Sequence, residues 1–86
     1  MRWTPRAQQA LDNFLAQVPE DWRDRVRQTA LRAAETQALQ IGNHIVDMDE
    51  VILGYIQVTP ASLRPALRGV LAASGVDVNR YKQHLV

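Results

Sequence analysis

The sequence predicts a small all-α domain, a single unit over residues 1–86 with about five short helices around one long central helix near residues 19–41. Three observations predict it. Apolar residues recur at spacings of three and four along most of the chain. Helix breakers separate those stretches at Val18-Pro19, Gly42, Val58-Thr59-Pro60 and Gly75. The longest stretch is alanine-rich in its middle, which lets neighbouring backbones approach closely and marks it as the central helix.

The elements follow in order. Thr4 is a good N-cap, and Pro5 suits the first helical position because its missing N–H would be unpaired there anyway. Ala7, Ala10, Leu11, Phe14 and Leu15 then make one apolar stripe on a helix that ends near Gln17. Trp3 either packs back onto that stripe or is presented to a partner. Pro19 opens the second helix, with Glu20, Asp21 and Asp24 near its positive end. Its apolar positions are Trp22, Val26, Ala30, Leu31, Ala33, Ala34, Ala38 and Ile41. Gly42 stops it, since glycine takes the left-handed conformation without steric cost.

Asn43 to Val46 is short and extended. Asp47 and Glu50 match a capping box for a third helix running to about Gln57, with Val51, Ile52, Tyr55 and Ile56 inward. Gly54 inside it costs up to about 1 kcal/mol relative to alanine, which close contact with another helix would offset. Ala61–Ser74 holds a fourth helix, regular from Ser62 or Leu63 because of Pro65, with Leu63, Leu67, Val70 and Leu71 inward. Gly75 stops it, and Asp77 caps a last helix from Val78 to about Leu85. No internal repeat of useful length is evident.

Composition excludes more than it assigns. A chain of 86 residues buries roughly 60–65% of its unfolded surface, enough for one modest core. The absence of cysteine removes disulfides and thiol catalysis. A net charge of +1 gives no global attraction to nucleic acid. No apolar run approaches the roughly 20 residues of a membrane span, and the N-terminal MRWTPRAQQ has no apolar signal core, so a cytoplasmic location is expected.

No nucleophile elbow, phosphate loop or dinucleotide fingerprint occurs, and no enzyme activity is expected. His44 lies near Asp47 and Asp49, but no metal-ligand spacing supports a site, and capping already explains Asp47 and Glu50. His84 suits the negative end of the last helix. No catalytic, cofactor or metal residue is therefore assigned. Arg23, Arg25, Arg27 and Arg32 alternate with acidic residues and read as a solvated face. Arg64, Arg68, Arg80 and Lys82 make the last third locally positive. Together with Trp3 and Trp22 they are the candidate partner-binding residues.

Two family resemblances overlap in the middle of the chain. Trp3-Thr4-Pro5, Ala7, Leu11, Val18-Pro19, Arg23, Val26-Arg27, Ala34-Glu35, Ala38, Gly42, Val46, Asp49 and Val51 resemble the small helical C-terminal domain of the B subunit of light-independent protochlorophyllide reductase. That resemblance covers residues 3–52 and implies a helical accessory module linked to chlorophyll or tetrapyrrole synthesis in bacteria. Glu20-Asp21-Trp22 and the extra C-terminal third depart from it. Residues 34–85, with Ala34-Glu35, Ala38, Gly42-Asn43, Glu50 to Ile56, Leu67, Leu71 and Gly75-Val76-Asp77, look like one repeat of the N-terminal domain of Clp-type ATPases. That family carries two such repeats and binds adaptors or substrate proteins; this chain reads as having one, with an altered loop between Tyr55 and Leu63. The expectation is a non-enzymatic protein-interaction or accessory module without a cofactor. The alternatives are a Clp-like adaptor-binding module and a weak nucleic-acid binder using the basic C-terminal surface.

Overall fold

A computed structural model describes residues 1–85, so Val86, the last residue of the expected domain, lies outside it. The elements are β1 (Arg2–Trp3), α1 (Pro5–Leu15), α2 (Glu20–Gln40), β2 (Ile45–Val46), α3 (Met48–Val58), a 3-10 segment (Ala61–Ala66), α4 (Leu67–Ala73) and a final 3-10 segment (Val78–His84). The all-α class holds, with α2 as the long central helix. The extended stretch after Gly42 pairs in parallel with the N-terminus, Arg2 opposite Ile45 and Trp3 opposite Val46.

Local chemistry explains the helix ends. The Thr4 hydroxyl accepts the Ala7 N–H at 3.1 Å and starts α1. Asp47 and Glu50 form the expected capping box, with the Asp47 N–H donating to Glu50 Oε1 at 2.9 Å. At the other end of α2, Gly42 takes φ 73°. Its N–H reaches Leu39 O at 3.0 Å, and the next N–H, of Asn43, reaches Ala38 O at 2.9 Å. That double bond pattern is the Schellman stop. Gly75 repeats it after α4, at φ 79°.

One core runs through the molecule. Phe14, Leu11 and Leu15 of α1 share one buried cluster with Ile52 and Val51 of α3, Leu71 of α4, Tyr81 of the final segment and Leu85 just after it. Phe14 and Tyr55 stack with centroids 5.0 Å apart. The largest interface joins α2 and α3. There the stripe Ala30, Ala34, Ala38 is buried, and a Cβ built on Gly54 would fall 2.6 Å from the Ala34 backbone nitrogen. The glycine in α3 is what lets the two backbones touch.

The two halves repeat one another, which the sequence reading did not anticipate. Residues 41 positions apart correspond: Leu11 with Ile52, Phe14 with Tyr55, Leu15 with Ile56, Pro19 with Pro60, Trp22 with Leu63, Arg23 with Arg64, Ala30 with Leu71. Their environments match as well. The first three pairs and the last are buried on both sides, while Trp22 and Leu63 are both exposed. The arginines play one role twice. Arg23 donates to Leu15 O at 3.0 Å and Val18 O at 2.9 Å. Arg64 donates to Ile56 O at 3.2 Å and Thr59 O at 3.1 Å. Each guanidinium satisfies carbonyls left open at the end of the preceding helix.

Several expectations are corrected by this geometry. Leu63 does not face inward; it is 56% exposed, because Pro60 and Pro65 bracket a 3-10 segment in which Arg64 turns in to cap α3. Trp22, beside the inward-turned Arg23, leaves the apolar stripe of α2 in the same way. Ile41 sits at the Schellman turn and points to solvent. The fourth helix is regular only from Leu67, and the last helix is 3-10 in kind.

Candidate interaction surface

The candidate residues fall in different places. Trp3 is half-buried against the core and donates its indole N–H to Glu35 Oε2 at 3.0 Å. Trp22 is 55% exposed, with the Arg25 guanidinium 5.5 Å from its ring centroid. That pair shares a helix face with Val26 and Thr29. Beside it Val18, Val26, Tyr55, Val58 and Pro60 line an apolar groove of about 310 Å³. The four C-terminal cations do not form one free face. Arg64 is occupied with backbone carbonyls. Arg80 pairs with Asp49 at 3.5 Å. Arg68 and Lys82 are exposed and make no salt bridge among the described residues. His44 is exposed, and its carbonyl accepts the Arg2 N–H. Among the described residues no three His, Cys, Asp or Glu side chains come together as a metal site.

Two concave features lie elsewhere, and the sequence reading named neither. An apolar groove of about 360 Å³ runs between α1 and the end of α4, with Gln9, Ala10, Asn13 and Phe14 on one wall and Ser74 and Val76 on the other. It opens into a larger cleft of about 690 Å³, and the two share Arg6, Met48 and Val76. The cleft is polar. Four carboxylates border it, those of Asp47, Asp49, Glu50 and Asp77, against two guanidiniums, those of Arg6 and Arg80. The groove depends on where α4 stops relative to α1. The sequence signal for that is Gly75, which marks the stop but not its neighbour.

The family model described as Protein of unknown function (DUF2621) covers residues 1–85. The chain belongs to the DUF2621 family. No curated protein and no solved structure matches it. The DUF2621 match spans both repeated halves and the groove between them.

Hydrogen bonds fix the electrostatics of the cleft in this DUF2621 chain. The Thr4 hydroxyl donates to Asp47 Oδ1 at 2.8 Å, and Arg6 donates to Oδ2 at 3.1 Å. The Thr4 bond first, then the Met48 N–H and Arg6, hold the Asp47 carboxyl below the usual carboxylate range despite an opposing desolvation. That stabilisation is present above pH 4 or so and is lost as pH falls through the lowered folded value. Tyr81 is buried and its hydroxyl donates to Asp49 Oδ1. Burial, followed by the bond to Asp49, pushes its phenol up to about 12.

A phenol raised on folding contributes stability that is complete below about pH 10, its unfolded value, and is lost as pH rises through about 12. Tyr81→Phe is expected to cost about 1.5 kcal/mol at neutral pH, the size of a hydrogen bond to a charged acceptor. It should also flatten the fall in stability between pH 10 and 12, measured by urea unfolding at each pH. Some slope remains, because burial raises Tyr55 too.

Proposed function

We propose that this chain is a non-enzymatic protein-interaction module whose partner seats in the groove between α1 and α4. The groove itself carries the proposal: its lining is mainly apolar, its rim residues Gln9 and Asn13 are exposed, and it is open to solvent. Exposed Trp22 with Arg25 offers a second contact of the residue types that dominate interfaces. The resemblance of residues 3–52 to the reductase domain suggests tetrapyrrole or chlorophyll synthesis as the place to look for the partner. A Clp-like adaptor-binding module is the second reading. It is favoured by the duplicated halves, and by a groove that stays open where the C-terminal third approaches α1. The nucleic-acid alternative draws less support, since Arg64 and Arg80 are engaged internally.

Affinity capture from the source cells tests this. Wild-type chain is expected to retain one stoichiometric partner that Asn13→Trp, filling the groove from an exposed position, does not retain. Gln40→Ala, exposed at the end of α2 and outside both grooves, should behave as wild type. Equal capture by wild type and Asn13→Trp would exclude the groove as the contact. A tetrapyrrole enzyme would favour the first family link, and a protease ATPase the second.

A further inference from the structure

The repeat shows what kind of partner the groove fits. In the 41-residue correspondence, Asn13 of α1 is the counterpart of Gly54 of α3, and Gly75 is the counterpart of Ala34. On α3, the place around Gly54 is covered by the second half of α2, whose Ala34 backbone touches it. On α1, the corresponding helix is α4, which ends at Ala73 and turns away at Gly75. α2 has 21 residues and α4 has seven. The groove at Asn13 is thus the position that a helix fills in the other half and that the short α4 leaves open.

Charge sets the direction. One end of the groove runs into the cleft where carboxylates outnumber guanidiniums. Arg6 and Arg80 are taken by Asp47 and Asp49. Asp77 and Glu50 have no salt-bridge partner among the described residues. Glu50 is only 8% exposed. Its Oε1 accepts the Asp47 N–H. With both guanidiniums paired, Glu50 and Asp77 leave net negative charge at the cleft, which favours a cation there.

Resting on the interaction-module reading, we infer that the groove receives an amphipathic α-helix of a partner protein. Its apolar face lies over Ala10, Phe14 and Val76, and a lysine or arginine at one end enters the cleft beside Glu50 and Asp77.

Two synthetic helical peptides with the same alanine–leucine face test this, one ending in lysines and one in glutamates, titrated into the full chain and followed by amide NMR shifts. The lysine peptide is expected to shift Gln9, Asn13, Ser74 and Val76, and to bind at least about tenfold more tightly than the glutamate peptide, equivalent to about 1.4 kcal/mol. Asp77→Asn keeps a good N-cap and removes one charge; it should weaken the lysine peptide roughly threefold, as one exposed charge pair does. Equal binding of both peptides would overturn the cationic end. No shift at those amides with either peptide would overturn the helix seat, while loss of partner capture in Asn13→Trp would still support the interaction module. Concentration-dependent shifts at the same amides without peptide would assign the seat to a second copy and overturn the inference.

Discussion

Gly54→Ala is expected to destabilise the fold by about 2 kcal/mol or more, although alanine is the better helix former by about 1 kcal/mol. The added methyl would meet Ala34 N at 2.6 Å and two further backbone atoms of the same turn at 2.9 Å. Backbone cannot rotate away as a side chain can, so α2 and α3 must separate along their largest interface. Gly54→Val should fail to fold. Gly69→Ala is the internal control. Gly69 also lies in a helix, but nothing stands within 4 Å of its added Cβ. It should gain about 0.5–1 kcal/mol from reduced unfolded-state freedom. Urea unfolding of the three variants measures the contrast, and a neutral Gly54→Ala would mean that α2 and α3 do not pack this way.

Phe14→Ala should cost about 3–5 kcal/mol. Phe14 is fully buried, is the largest of the fully buried side chains, and stacks on Tyr55. The two rings are counterparts in the repeat, so the truncation removes the contact where the halves meet. A domain holding about 5–15 kcal/mol in all would lose about a fifth or more of its stability. Thermal melting of Phe14→Ala beside Phe14→Leu reads this: the leucine variant should recover most of the loss by keeping the volume. Similar melting points for wild type and Phe14→Ala would place the core elsewhere.

Helix starts and stops were legible because they are local. Thr4-Pro5, Asp47-x-x-Glu50, Gly42 and Gly75 each act on backbone groups within a few residues. The compensation expected for Gly54 was legible for a similar reason: a costly residue inside a helix implies a close neighbour. The repeat was not seen, because the pairs seldom keep identity. Phe14 with Tyr55, Leu15 with Ile56 and Ala30 with Leu71 conserve burial, and packing demands little more. One signal was available. Proline followed four residues later by arginine occurs at Pro19–Arg23 and again at Pro60–Arg64, 41 positions on. In the sequence Arg64 looks like any surface cation, because its partners are carbonyls, which leave no mark there. The β1–β2 pairing and the groove depend on contacts between distant segments, so no local pattern announces them. Trp22 was legible as a candidate only by residue type; its exposure follows from Arg23 turning in beside it.

The Thr4 hydroxyl accepts from the start of α1 and donates to Asp47, which starts α3, 43 residues away. A helix end ordinarily frays alone, since its cap is a neighbour in the chain. Here one oxygen serves both ends, and each is complete only while the other is in place. The opening of the first turn of α1 therefore takes the anchor from α3, and the opening of α3 strips the proton acceptor's orientation from Thr4. Breathing at either terminus becomes a shared event, and two helices far apart in sequence melt from their beginnings as one unit.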